Sequence, residues 1–528
     1  MHGRLKVRTS AEEAARKKKE QEIKVKTYRA GMGRIFEKRK NGQLDDEMMQ
    51  ITGQILSRNP DVYTLWNIRK ECILKMAESL GNEAKQSLYD KDLGFTEQCL
   101  MVNPKSYGAW HHRCWILENC PTPDWEREVA LCNKYLKLDE RNFHCWDYRR
   151  FVVKKAKVPA EDELKYCTEK IHKNFSNYSS WHYRSKLLPL LFPHETSPAR
   201  PISESKLKEE LEMVLTAAFT DPNDSSAWFY QRWLLGYSQP ALDIAAIRIS
   251  KNLAIASFSK PIDLRTCEIE TNFGFNFNPD RWQPVQKGNK YDVAWIVEDS
   301  FELGASDLQQ YIFKCRMSDG KDYAINLKKC SDGFYGMKCP KFEYEFGAAV
   351  IEELKNQLES CNQLLEYEPD SKWTLLTASL LMRAIDRRGY HTKSLEYLQK
   401  LEKIDYLRQG YYADLASKWA IEKVLEEWIE QGDLTVAIDL SNLNLATIFY
   451  EQYMSIAKIV ILRNNCLSDR TATKFNAFQF CENLDASYNQ FSTPGVIPHI
   501  PNLKVLSLEG NKFSNNATTR LEDQMKNL

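Results

Sequence analysis

Five tryptophans, Trp66, Trp110, Trp146, Trp181 and Trp228, recur at spacings of 44, 36, 35 and 47 residues, each in the same box. Asn or Asp stands seven positions before the indole, at Asn59, Asn103, Asp139, Asn174 and Asp221. In the first four copies an aromatic ring lies three before it (Tyr63, Tyr107, Phe143, Tyr178) and an arginine three after it (Arg69, Arg113, Arg149, Arg184). The fifth departs, with Ser225 and Gln231 in those slots and Arg232 adjacent. Glu368 to Trp373 reads as a degenerate sixth copy. A repeat of this length suits one helix pair, because a lone pair cannot bury its apolar stripe and its neighbours must stack on it. Asn or Asp beside Pro marks a turn and a helix start. Ring, indole and arginine then share one helical face. The expectation is an α-solenoid of helical hairpins with these aromatics packed between hairpins and the arginine stacked on a ring or paired with a carboxylate. Such a box speaks for packing and by itself for no chemistry.

The grammar changes twice. Between 241 and 345 the period is two: Phe273, Phe275 and Phe277 alternate with Gly274 and Asn276, as do Tyr291, Val293, Trp295 and Val297 with their neighbours. Tyr311 to Met317 leads through Ser318-Asp319-Gly320 into Tyr323, Ile325 and Leu327, a hairpin signature. A small β-sandwich inserted into the helical domain is expected. Helical character returns over 346–432, so the helical-repeat domain is read as two parts, 1–240 and 346–432. From 433 to 528, Leu503-Lys504-Val505-Leu506-Ser507-Leu508-Glu509-Gly510-Asn511-Lys512-Phe513 fits the leucine-rich pattern. Earlier copies run through Leu484, Ala486, Asn489 and Phe491, through Val460, Leu462, Asn465 and Leu467, and through Ile438, Leu440 and Leu445, the last with Leu443 where Asn is expected. Their spacing of 22 to 24 residues lies in the leucine-rich repeat range.

Composition excludes several classes. With 528 residues and 43% hydrophobic content the chain has material for several cores. Lys+Arg of 73 against Asp+Glu of 72 argues against a globally basic nucleic-acid binder. The longest apolar run, Leu187 to Phe192, is far too short to span a bilayer. Met1 to Lys6 has no apolar core of a secretory signal. None of the 14 cysteines forms a Cys-x-x-Cys pair, and no zinc spacing occurs, so reduced buried thiols in a cytoplasmic protein are expected. The first 40 residues hold fourteen Lys+Arg and five Asp+Glu, which reads as a solvated helix face, with an acidic partner as the alternative.

The Asn/Asp…aromatic…Trp-x-x-Arg box, with His111-His112-Arg113 in its second copy, resembles the α subunits of the protein prenyltransferases. Within that family, helical repeats followed by an immunoglobulin-like insert and a leucine-rich tail resemble the branch that modifies Rab GTPases, as does Met1-His2-Gly3-Arg4-Leu5-Lys6. The resemblance implies a subunit of a heterodimer, inactive without a β subunit that holds the catalytic zinc and most of the isoprenoid pocket. It implies transfer of geranylgeranyl from geranylgeranyl diphosphate to C-terminal cysteines of Rab GTPases presented by a Rab escort protein. A non-catalytic interaction scaffold is the alternative reading.

That chemistry needs a thiolate and a stabilised diphosphate leaving group. Lys105, in the turn of the second box, occupies the position whose lysine the family aims at the diphosphate; the other boxes place Asp61, Arg141, Ser176 and Asn223 there. Tyr107 matches a family tyrosine of the same cleft, against the reading of a core aromatic, and His144 sits in the equivalent loop of the third box. Phe143 stands where farnesyl-type α subunits usually carry Tyr. His2 is a candidate ligand to the β-subunit zinc in a self-inhibited state, since a neutral imidazole can ligate zinc. His111 and His112 read as helix-face residues.

Overall fold

A computed structural model describes residues 11–196, 200–236, 241–273, 277–301, 308–317, 320–342, 346–493 and 495–513. The chain forms two compact units, Met1–Leu191 and Phe192–Leu528.

The first unit is helical: α1 (Ala11–Lys40), α2 (Asp46–Leu56), α3 (Tyr63–Ala77), α4 (Asn82–Val102), α5 (Tyr107–Asn119), α6 (Trp125–Leu138), α7 (Phe143–Ala156), α8 (Ala160–Lys173) and α9 (Tyr178–Leu191). Each box spans the turn into the second helix of a hairpin. In all five copies the Asn or Asp carboxamide or carboxylate Oδ1 accepts the N–H two residues on, at 3.1–3.2 Å, a local turn that competes with helix and ends the preceding one. The indole N–H then closes the same turn from the other side. It donates to the carbonyl six residues back: Pro60 (2.7 Å), Pro104 (2.9 Å), Glu140 (2.8 Å), Phe175 (2.8 Å) and, in the second unit, Pro222 (3.0 Å).

The arginine slot lies in the interior. Arg69 pairs with Asp92, Arg113 is bidentate to Glu128 at 2.6 and 2.8 Å, and Arg149 is bidentate to Glu163 at 2.6 and 2.8 Å. Each carboxylate comes from the next helix, so these pairs tie successive hairpins. The ring at −3 departs from expectation. Tyr63, Tyr107, Phe143 and Tyr178 are half-exposed or more, because each is the first residue of its helix and still faces the turn. Indole and guanidinium, a turn further in, are the buried members.

The second unit opens with α10 (Glu204–Thr220) and α11 (Ser225–Gly236). Strands follow: β1 (Ile244–Ser250), β2 (Leu253–Ile262), β3 (Glu268–Thr271), β4 (Gln283–Pro284), β5 (Asp292–Glu298), β6 (Tyr311–Arg316), β7 (Asp322–Cys330) and β8 (Gly333–Met337). They form one antiparallel array in the order β3-β6-β7-β8-β1-β2-β5-β4. The array closes over a core that includes Trp282, Trp295 and Phe313. The β6–β7 turn ends on Gly320 at φ +80°, while Ser318 and Asp319 of the expected turn, and Gly274 to Asn276, lie outside the described residues.

Helices α12 (Ala348–Tyr367), α13 (Lys372–Asp386), α14 (His391–Ile404) and α15 (Gln409–Gln431) come next. Short parallel strands β9 (Ile438–Asp439), β10 (Ile459–Ile461), β11 (Asn483–Asp485) and β12 (Val505–Ser507) end the described chain, stacked in the order β12-β11-β10-β9. Asparagines bind the coils together. Asn465 Oδ1 accepts from the N–H groups of Leu443 (3.1 Å) and Leu445 (2.9 Å), and its Nδ2 donates to the carbonyls of Leu440 and Leu462. Asn489 and Asn511 repeat the arrangement one and two coils on. One hydrophobic core joins these coils to α15 and to the outer face of β1, β2 and β5, through Ile255, Ala294, Trp428 and Leu440. Arg248 on β1 crosses this junction, donating to the Ile456 carbonyl (2.9 Å) and to Asp332 (2.8 Å).

Candidate functional site

The turns between paired helices of the first unit lie side by side, and the second and third carry the candidate residues. Asn103 ends α4 and Ser106 caps α5, accepting the Ala109 N–H at 3.4 Å. Lys105 stands between them, exposed. Its loop is fixed from three directions. Asn103 Oδ1 accepts the Lys105 N–H (3.1 Å) while Asn103 Nδ2 donates to Asp61 of the preceding turn (2.9 Å). Ser106 Oγ donates to the Pro60 carbonyl (3.0 Å), and Asn142 Nδ2 donates to the Pro104 carbonyl (2.9 Å). Gly108 is required here, since a Cβ would meet the Trp66 ring at 2.7 Å.

Tyr107, the first residue of α5, is 57% exposed, so the core-aromatic reading fails for it. Its ring stands edge-on to His144 at 4.2 Å between centroids and 6.2 Å from Phe143. His144 is buried beneath them, its backbone N–H held by the capping Asn142 (3.1 Å). Burial lowers the His144 imidazole pKa, the Lys105 charge lowers it further, and Asp147 and Asp61 oppose both. Lys105, Tyr107 and His144 are thus brought together, with a neutral imidazole favoured beside an exposed ammonium. His2 lies outside the described residues. Sequence reasoning missed Asn103 and Asp61 as the clamp; a side chain long enough to satisfy its own turn and reach the next has no signature in one chain.

His112 is not a surface residue. Its Nε2–H faces Asp92 at 2.6 Å, completely buried, between the Trp66 and Trp115 rings. Burial lowers its pKa against the pull of Asp92. His111 lies 3.4 Å from the Lys70 ammonium.

The edge carrying these turns is apolar. Met101, Val102 and Leu138, which end α4 and α6, are 58–70% exposed, beside the exposed rings of Tyr63, Tyr107 and Phe143. Among the described residues no group of three or more His, Cys, Asp or Glu is placed to hold a metal. Burial pushes the thiols of Cys72 up to about 11 and of Cys99 and Cys167 up to about 12, away from the thiolate a metal needs. Zinc does not fit the described side chains. The arrangement offers an exposed cation, Lys105, on a turn whose backbone is held in place, at an edge with exposed apolar side chains. It can neutralise an anion presented from outside and cannot activate a thiol.

Known proteins bear on this geometry. The model of the protein prenyltransferase alpha subunit repeat matches residues 45–76, 89–120, 125–156, 160–191 and 207–238, one hairpin each. The chain is 38% identical over 523 residues to the geranylgeranyl transferase type-2 subunit alpha of Sus scrofa, covering 97% of this chain and 92% of that one. The protein of the same description from Homo sapiens matches at 38% over 524 residues with the same coverage. The one from Dictyostelium discoideum matches at 41% over 258 residues, 48% of this chain and 80% of the relative.

Proposed function

The chain belongs to the family of geranylgeranyl transferase type-2 α subunits and is a transferase subunit, and from that premise we propose that it works by presenting Lys105 across its apolar edge to a β subunit. The β subunit holds the zinc and the isoprenoid pocket. A cysteine sulfur at the C-terminus of a Rab GTPase, presented by an escort protein, bonds to C1 of geranylgeranyl diphosphate, and the C1–O bond to the diphosphate breaks. Charge grows on the departing oxygens, and the Lys105 ammonium meets it. An ion fixed before the reaction stabilises that charge with little reorganisation. Tyr107 and His144 lie beside Lys105 at the same edge.

The observation that carries this reading is the convergence of Lys105, Tyr107 and His144 on an edge rich in exposed apolar side chains. A solvated surface rarely leaves so many large apolar groups bare without a partner to cover them. The antiparallel array is read as an immunoglobulin-like sandwich and the Asn-laddered coils as leucine-rich repeats. Both are additions to the transferring core, a view supported by the Dictyostelium relative, most of whose length aligns with half of this chain. His2 is read as a ligand that competes for the β-subunit zinc. No helix among the described residues is long and apolar enough to cross a membrane, and the site of action is read as cytoplasmic.

Purification of the chain from its own cells tests this reading. An equimolar single partner and one zinc per complex, with the metal following the partner on separation, is the expected result. No stoichiometric partner, or partners without zinc, would make the chain a scaffold.

A further inference from the structure

The fifth and sixth boxes contain a cluster that the transfer chemistry leaves unused. In the fifth box the interior slot holds Gln231, fully buried and bonded to Gln357 at 2.6 Å, and the arginine has moved one position on. One residue turns it by about 100° around the helix. Arg232 therefore leaves the arginine slot and lies part-buried over rings: its Cζ is 4.1 Å from the centroid of Phe229 and 5.4 Å from that of Trp373, the indole of the sixth box. Two further cations face the same indole, Arg408 at 4.7 Å and Lys372 at 5.5 Å.

The balance of charge there is incomplete. Asp405 is the carboxylate that answers these cations, and it is already shared: it pairs with Arg408 at 3.0 Å and Lys372 at 3.9 Å, and accepts from the Tyr412 hydroxyl at 2.9 Å. Arg232 makes no ion pair among the described residues, and its Nη2 is buried without a hydrogen-bond partner there. Burial lowers its pKa, the Tyr411 hydroxyl hydrogen-bonded to the guanidinium opposes this without supplying an anion, and the Arg408 charge lowers it further. By contrast, Arg69, Arg113 and Arg149 each received a carboxylate. A part-buried guanidinium without an anion is costly to keep, and a ligand anion removes that cost. Beside the cluster, Tyr406 and Leu407 are 80% and 88% exposed, and Tyr411 is 47% exposed.

We propose that the cations around Trp373 form a docking site for an acidic segment of a partner protein, whose carboxylates pair with Arg232, Lys372 and Arg408 while an adjoining apolar side chain covers Tyr406 and Leu407. A free phosphate answers the charge but covers none of that exposed apolar surface; a peptide does both. The site stands on residues outside the first unit and does not depend on the role given to Lys105.

The test uses the full-length chain and a fluorescein-labelled peptide, Glu-Glu-Asp-Leu-Phe-Glu-Asp, with its Gln/Asn counterpart and inorganic phosphate as controls. Saturable binding of the acidic peptide alone is expected, weakened at least about tenfold by Arg232→Gln and by Arg408→Gln. In the absence of peptide, Arg232→Gln is expected to leave the melting temperature unchanged or raise it, since it removes an unanswered cation, whereas Arg113→Gln lowers it. Equal binding of the Gln/Asn peptide, no binding of the acidic one, or binding indifferent to both variants would overturn the proposal. So would displacement of the peptide by submillimolar phosphate, which would make this a small-anion site, and so would a clear loss of melting temperature in Arg232→Gln, which would make the arginine a structural strut.

Discussion

The first three boxes and the fifth use their tryptophan identically and their arginine differently. In all of them the indole N–H closes the turn on the carbonyl six residues back. In the first three, the guanidinium at +3 is buried against a carboxylate of the next helix; in the fifth, Gln231 meets Gln357 there and Arg232 lies part-buried over rings. A repeat thus fixes the position that shapes its turn and leaves the position that joins hairpins free to be charged or neutral. An ion pair and an amide pair both occupy the interior, but they fail differently. Truncating one partner of a buried ion pair strands the other charge, whereas a stranded amide loses only a hydrogen bond.

The largest expected effect tests that difference directly. Arg113→Ala leaves the Glu128 carboxylate buried with no cation and only the Tyr148 hydroxyl as partner, and should cost about 3–5 kcal/mol in urea unfolding. Gln231→Ala should cost about 1–2 kcal/mol. Equal losses would break the comparison. Next, Asn465→Ala strips partners from two N–H and two carbonyl groups of the coiled region, and about 2–4 kcal/mol should be lost by the same measurement.

Acid sharpens the contrast further. Burial lowers the His112 pKa, so the unfolded chain takes up its proton first as pH falls. This contribution is present above the ordinary histidine pKa of about 6.5 and is lost below it, at no more than about 1.4 kcal/mol per pH unit for one proton. Burial opposes ionisation of Asp92, but the His112 hydrogen bond and the Arg69 charge outweigh it and hold the carboxyl below its ordinary value. Its share is present above about pH 4 and is lost below that. The melting temperature should fall from pH 7 to 5.5, and His112→Gln should flatten that segment; an unchanged slope would remove His112 from the account. The smallest effect belongs to the edge: Tyr107→Leu should stay within about 0.5 kcal/mol of the parent, because an exposed ring contributes little to the core.

Much of the repeat architecture was legible because Trp, Asx and Pro leave marks at fixed offsets, and the turn chemistry behind them is local. The hairpins, the Asn ladder and the β6–β7 pairing all follow from such marks. Strands β1 and β2 left none. Ala245, Ala246 and Ile255 face one core and Ile247, Ala254 and Ala256 another, so burial on both faces erased the alternation that reveals a strand. The exposed rings at −3 were misjudged for a related reason: helical spacing puts them on the face of the tryptophan, but a first-turn residue is still outside the stack. At the candidate site, Lys105 stands out through the family resemblance, with the absence of lysine from that slot in four other boxes as support. The Asn103–Asp61 bond that fixes its loop joins turns 42 residues apart, and only the fold brings them together.

The central claim is that this chain contributes a group to the transfer step. Its most direct test is single-turnover transfer of geranylgeranyl by the heterodimer carrying Lys105→Ala, with urea unfolding measured alongside. The expected result is a rate about 10²-fold slower, the scale of losing one donor to developing charge, at an unchanged unfolding midpoint. An unchanged rate would contradict it and leave Lys105 an ordinary lysine in a surface turn.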